Sequence, residues 1–269
     1  MKYGIITADQ ELYTKRLIYY LKFNLQKPDC VIQVTNSFFH RIKRNLNLRA
    51  VVSILKAQTS ERVTSSAKPS ADHLARYLES LGITIPDISL VQACKNEGIP
   101  LFTTNDLHSG KTCELLRRSE LDLLINAGGG IFKSCIIDTV RIGILNAHMG
   151  LLPDMRGMNV LEWSIFYERK LGVTVHIIDR GIDTGDILSF KPISIEKGDS
   201  ISDLRDKTGI ANFELFSEVL IDFKTDSLTR RKQSPEMGLQ YFVMHPRLRS
   251  CAERKLRDMS ADKSSITIN

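Results

Sequence analysis

No apolar run in this chain reaches the roughly 18 residues that a membrane-spanning helix requires. The opening stretch MKYGIITADQ also lacks the apolar centre of a secretory leader. The expected location is therefore the cytoplasm, with no membrane partner. The five cysteines (Cys30, Cys94, Cys113, Cys135 and Cys251) are odd in number and form no CxxC pair. They read as free thiols in a reducing compartment, and no metal site is expected. Internal repeats and low-complexity tracts are missing, which excludes a solenoid. The glycine-rich stretch INAGGGI is too far from GxGxxG for a nicotinamide cofactor. Only one tryptophan, Trp163, is present.

What is there is ordinary for a globular domain: 42% hydrophobic and 25% charged residues in a chain of 269, long enough for a substantial core. The net charge of +6 is unevenly distributed. Ser37 to Ala57 carries Arg41, Lys43, Arg44, Arg49 and Lys56 with no acid, and the tail from Lys224 has ten Lys/Arg against five Asp/Glu. Such segments can meet phosphates, although a basic run is more often a solvated face. Along the chain, short apolar runs alternate with amphipathic ones. Strands are expected at YGIITA, CVIQVTN, PLFTTN, DLLINAGGG and IGILNAH, then at GVTVHIID and DILSFKPISI. Helices are expected at ELYTKRLIYYLKF, Phe38 to Lys56, Lys111 to Arg118, Asn159 to Lys170 and Ser202 to Phe223. TSERVTSSAKPSADH reads as a flexible connection. The alternation predicts an α/β fold with a doubly wound, mostly parallel sheet. A domain over residues 1–223 would be followed by a short basic extension over 224–269.

In such folds ligands bind beyond the carboxyl ends of the strands. NAHMGLLPDMRG begins at one of them, with Asn146 and His148 two residues apart and so on one face of the strand. The next strand runs out into HIIDRGIDTGD, supplying His176, Asp179, Asp183 and Asp186, with Gly181 and Gly185 tightening the turn. If these two strand ends are neighbours, an amide, an imidazole and a carboxylate converge. A carboxylate raises the pKa of a nearby imidazole and favours imidazolium at neutral pH. The amide and imidazolium N–H groups can stabilise an oxyanion, and the carboxylate can take a proton from an attacking amine. A histidine at a strand end and an aspartate in a turn are also common structural groups, so the residues by themselves leave both readings open.

LNAHMGLLPDMRG followed by GVTVHIIDRGIDTGDIL resembles the 10-formyltetrahydrofolate-dependent formyltransferases, strongly over about Leu121 to Ile195. The resemblance implies a Rossmann-like α/β sheet of the formyltransferase type, and 10-formyltetrahydrofolate as donor without a metal. It implies that Asn146 orients the formyl oxygen, that His148 is its imidazolium partner, and that Asp183 tunes His148 and manages the proton. Gly128, Gly129, Gly130, Leu145 and Asp179 would bound the folate. Leu151, Leu152 and Pro153 would shape the pocket wall, with Arg156, Gly157 and His176 facing the acceptor. The chain departs from the family at the triple glycine, and at Gly150, where a serine is common.

Three functions are compatible with this pattern. The favoured one is an N-formyltransferase for a small primary amine, foremost a nucleotide-linked amino sugar whose diphosphate Arg156 would hold. The second is formylation of an aminoacyl-tRNA, favoured by the basic segments. Against it stands the little strand pattern after Phe223, where the tRNA branch carries a β-barrel. The third is hydrolysis of the formyl donor, with water in place of the amine. Pairing into a homodimer through the C-terminal elements, as family members often do, is also compatible.

Overall fold

A computed structural model describes residues 1–8, 10–35, 72–234 and 236–261. The helix expected over Phe38 to Lys56, with its basic cluster, lies outside the described residues, as does nearly all of the Ser/Thr-rich connection after it.

The expected strands form. β1 (Tyr3–Thr7), β2 (Cys30–Val34), β3 (Leu101–Thr104), β4 (Leu123–Ala127) and β5 (Gly143–His148) are joined by helical crossovers. They pair in parallel in the order β3-β2-β1-β4-β5. Apolar runs such as Tyr3 to Thr7, buried at every position, suit strands covered on both faces. α1 (Glu11–Asn24), α2 (His73–Ser80), α3 (Leu90–Asn96) and α4 (Gly110–Ser119) flank this half. Sequence reasoning missed α2 and α3, each one or two turns long. Their starts are nonetheless marked: the Asp72 carboxylate accepts from Ala75 N–H and the Ser89 hydroxyl from Gln92 N–H. A short α5 (Ser134–Ile137) precedes β5.

After β5 the direction changes. β7 (Leu171–Ile177) pairs antiparallel with β5, and β8 (Ile187–Ile193) antiparallel with β7, completing a seven-stranded sheet. The register places Asn146 opposite His176 and His148 opposite Thr174. Between β5 and β7 lie β6 (Met155–Gly157) and α6 (Val160–Phe166). α6 is shorter than the expected Asn159 to Lys170, because Glu168 turns to φ +53° and Arg169 N–H caps the Ser164 carbonyl.

α7 (Ile201–Lys224) closes the main core and begins with a reciprocal cap between Ser200 and Asp203. One core layer joins β1, β5 and β7 to α1, α2 and α7 through Leu17, Leu145, Val175 and Phe216. A second, on the opposite face, holds Ile32, Leu124, Ile144 and Leu116. The polar segment after Lys224 is more ordered than its composition suggested. β9 (Leu239–Tyr241) pairs in parallel with β6, and α8 (Pro246–Ala261) packs Ala252 and Leu256 against Leu161, Ile165 and Leu204. Among the described residues no helix is long and apolar enough to cross a membrane.

Candidate active site

The Asn-x-His strand end, the HIIDRGIDTGD turn and the AGGG loop meet beyond the carboxyl ends of β4 and β5. A cavity of about 390 Å³ opens there, lined on one side by Gly130, Ile131 and Phe132 and on the other by Ile178 to Asp183. Asn126, Asn146 and His176 form its floor, and Gly157, Met158, Tyr241 and Phe242 its rim. Trp163 holds the rim in place by donating its indole N–H to the Phe242 carbonyl (2.8 Å) and packing on Tyr241.

The sheet pairing explains the floor. Asn146 and His148 leave β5 on the same face, while Leu145 and Ala147 turn into the main core. Across the antiparallel register, the Asn146 amide nitrogen lies 3.1 Å from His176 Nε2. The His176 ring is oriented by its other nitrogen, Nδ1, which donates to the Ile177 carbonyl (3.0 Å). Asn146 Oδ1 accepts from the Asn126 side chain (2.9 Å), whose own Oδ1 accepts Gly129 N–H (2.7 Å).

Asp183 enters from the turn with φ +54°, a left-handed conformation that Asp and Asn tolerate better than most residues. The turn is built by Asp179, whose carboxylate accepts Gly181 N–H and the Thr184 hydroxyl. Asp183 Oδ2 accepts Gly157 N–H (2.8 Å) and stands 3.4 Å from His148 Nδ1. Its Oδ1 stands 3.5 Å from His176 Nε2. Burial pushes the Asp183 carboxyl upward, but the His176 contact, the charge that His148 gains at the acid pH where a carboxyl titrates, and the Gly157 N–H outweigh it and hold it below the ordinary carboxylate range.

His148 departs from the sequence expectation. Its side chain does not line the cavity but lies behind Asp183, 7% exposed. Nε2 donates to the Met155 carbonyl (2.6 Å), so in the neutral ring Nδ1 carries a lone pair toward the Asp183 carboxylate. Burial is the largest influence and lowers the imidazole pKa, exceeding the pull of Asp183 and of the Met155 carbonyl. Burial therefore favours a neutral ring over the imidazolium expected from the sequence.

Other candidate residues are distributed as follows. Of the three glycines only Gly130 lines the cavity, and a Cβ on it would meet open space. A Cβ on Gly128 would instead press on Gln10, and one on Gly129 on Phe132. Leu145 is fully buried in the core. Leu152 lies beneath the site, its N–H on the Thr174 hydroxyl. Arg156, 4% exposed, points away from the cavity, donating to Gln233 Oε1 (3.1 Å) and the Ser234 carbonyl (3.0 Å). Gln233 in turn donates to the Asp183 and Gly185 carbonyls (3.1 and 2.6 Å), tying the segment after α7 to the turn that carries Asp183. Sequence reasoning missed Asn126, Gln233 and the rim aromatics. Asn126 alone left a signal, as the one polar residue in the apolar strand Leu123–Ala127. Among the described residues no His, Cys, Asp and Glu group is arranged to hold a metal ion.

Comparison with known proteins adds an independent line. A family model described as formyl transferase matches residues 39–220. The methionyl-tRNA formyltransferase of Bacillus subtilis (strain 168) is 29% identical over 141 residues, 52% of this chain and 44% of that protein. The alignment thus spans less than half the length of that relative. Phosphoribosylglycinamide formyltransferase from Bacillus halodurans shares the fold at a TM-score of 0.56 and 17% identity, covering 84% of this chain and 97% of that one. An N-formyltransferase from Helicobacter canadensis, solved with folinic acid and dTDP-3-aminofucose, shares it at a TM-score of 0.53 and 17% identity, over 90% and 71% of the two chains.

Proposed function

The chain belongs to the formyl transferase family, and from that premise we propose that it moves a formyl group from 10-formyltetrahydrofolate to the primary amine of a nucleotide-linked amino sugar. The observation that carries the reading is the meeting of the Asn146 amide, the His176 ring and the Asp183 carboxylate on one cavity floor. The cavity fits a flat heterocyclic donor. Ile131, Phe132, Ile178 and Ile182 offer apolar walls, and Gly130 leaves the loop backbone open to close approach. When bound, the folate would supply an N-formyl group whose carbonyl carbon is electrophilic.

The chain's own residues then divide the work. Asn146 keeps one amide N–H on His176 and presents the other to the carbonyl oxygen as negative charge develops on it, the arrangement of an oxyanion hole. Asp183, ionised at neutral pH, accepts the proton that the attacking amine loses. Neutral His148 stands behind it with a lone pair on Nδ1, so a proton reaching Asp183 has a second basic site 3.4 Å away. The proton finally leaves with the departing nitrogen, and no acyl-enzyme is required. On the rim, exposed Phe242 and half-buried Tyr241 offer apolar faces to a base or sugar ring, and exposed Arg180 offers a cation to a diphosphate. The Helicobacter canadensis protein, solved with a nucleotide-linked amino sugar, supports this acceptor class. Arg156, placed away from the cavity, does not serve it.

The test is an acceptor panel of nucleotide-linked amino sugars, glycinamide ribonucleotide and charged initiator tRNA, each with 10-formyltetrahydrofolate. Tetrahydrofolate should be released only with an amino sugar. Equal release without any amine would make the protein a hydrolase. Formylation of the tRNA, with steeply salt-dependent binding, would replace the small-amine reading.

A further inference from the structure

We infer that Asn126 is a positioning residue that fixes which end of the Asn146 amide faces the reacting carbonyl. The inference rests on the formyl-transfer reading of the site and deepens it. A carboxamide has nearly the same shape at both ends but opposite chemistry, so only its hydrogen-bond partners decide whether oxygen or nitrogen points into the cavity.

Here the decision comes from the backbone. Gly129 N–H can only donate, and it donates to Asn126 Oδ1 (2.7 Å). Asn126 Nδ2 must then face Asn146, where it donates to Oδ1 (2.9 Å). With its oxygen engaged, Asn146 turns Nδ2 the other way, toward His176 Nε2 (3.1 Å). At the far end the Ile177 carbonyl, which can only accept, takes the His176 Nδ1 proton, so that a neutral His176 ring carries its lone pair on Nε2. The relay is anchored at both ends by backbone groups that cannot reverse polarity. Turning Asn146 over would set amine against amine at Asn126, and oxygen against a lone pair at His176. Asn126 has no packing task that explains it: Leu123, Leu124, Ile125 and Ala127 of the same strand are all 2% exposed or less, whereas Asn126 opens onto the cavity.

A role confined to holding the glycine loop would need only the Asn126 oxygen, and this gives the test. Asn126→Asp keeps that oxygen for Gly129 and replaces the donor with a second acceptor, which favours the reversed Asn146. Asn126→Ala removes both. With the amine identified by the acceptor panel, kcat of Asn126→Asp at pH 8 should fall about 10²-fold, the loss typical of an oxyanion donor. That of Asn126→Ala should fall by roughly tenfold, since Asn146 is then free to rotate. KM for the folate should stay within about threefold of wild type in both, because the relay acts on developing charge and not on ground-state binding. As pH is lowered toward about 4.5, a growing share of the introduced carboxyl, whose ordinary value is about 3.9, gains a proton it can donate to Asn146 Oδ1. The ratio of Asn126→Asp to wild-type kcat should therefore rise, and taking the ratio removes pH effects common to both proteins.

A near-wild-type Asn126→Asp beside a damaged Asn126→Ala would overturn the inference, as would equal losses with no recovery at low pH. Thermal unfolding checks that each variant is folded. Should Asn126→Asp not fold, an unchanged kcat in Asn126→Ala would overturn it instead. Asn146→Ala is measured alongside: if it keeps the wild-type rate, the reading of the site itself fails. If it loses about 10²-fold while Asn126→Asp does not, only the positioning role falls.

Discussion

Replacing Asp183 by asparagine separates the charge of this carboxylate from its shape. The left-handed φ of +54° is tolerated by Asn as well as by Asp. Gly157 N–H, now 2.8 Å from Oδ2, can donate to the amide oxygen, and the new NH2 then faces the His176 Nε2 lone pair across 3.5 Å. No donor meets a donor, so the turn should be kept. Exchanging a charged for a neutral acceptor weakens the Gly157 hydrogen bond by about 1 kcal/mol. Relief from burying a charge offsets part of that loss. His148 stays neutral, because the carboxylate is one of the groups that raise its pKa. Stability should therefore change by no more than about 1 kcal/mol in denaturant unfolding. The amide cannot accept a proton, so general-base assistance is lost. Such assistance is worth about 10²–10⁴-fold, or roughly 3–5 kcal/mol of barrier. The assay is tetrahydrofolate release at saturating donor and amine, at pH 7.5. A kcat within about tenfold of wild type, with stability unchanged, would remove Asp183 from proton transfer. A loss of activity matched by more than about 3 kcal/mol of destabilisation would make its role structural.

Two further outcomes follow from the same geometry. His148 has a folded-state pKa below its unfolded value, so the unfolded chain binds more protons as pH falls below the ordinary imidazole range, about 6.5. Its contribution to stability is present above that pH and lost as pH falls through the folded value. Unfolding free energy should decline between pH 6.5 and 5 in the wild type, and His148→Gln should flatten that decline; an unchanged slope would show that His148 is not buried neutral. Gly157 sits at φ +98°, where a Cβ would stand 2.0 Å from the Tyr241 carbonyl oxygen. Gly157→Ala should cost about 2–4 kcal/mol from backbone strain and the clash together. It should also loosen the rim and the Asp183 contact; unfolding and activity close to wild type would refute the tight β6–β9 approach.

Much of the site could be read along the chain because its parts obey local periodicity. β1, β4 and β5 are apolar runs that suit strands covered on both faces, and a two-residue spacing puts Asn146 and His148 on one face. The Asp-Thr-Gly-Asp turn announces itself by its glycines. The short helices α2 and α3 escaped because one or two turns offer little periodicity to detect. β9 and α8 escaped because the polar, basic composition of the tail hides how few residues it takes to cover α6. Arg156 was assigned to an acceptor on its chemistry, yet its surroundings bury it against Gln233 and the Ser234 carbonyl.

By itself the sequence determined the alternating α/β order, the strand ends where chemistry collects, and the residue types available there. Tertiary structure alone decided which of them meet. The antiparallel register of β5 and β7 brings His176, not His148, against the Asn146 amide. Burial, acting against the neighbouring carboxylate, lowers the His148 imidazole pKa. The physical reason is common to both: strand register and desolvation depend on segments distant along the chain, and residue spacing carries no record of them.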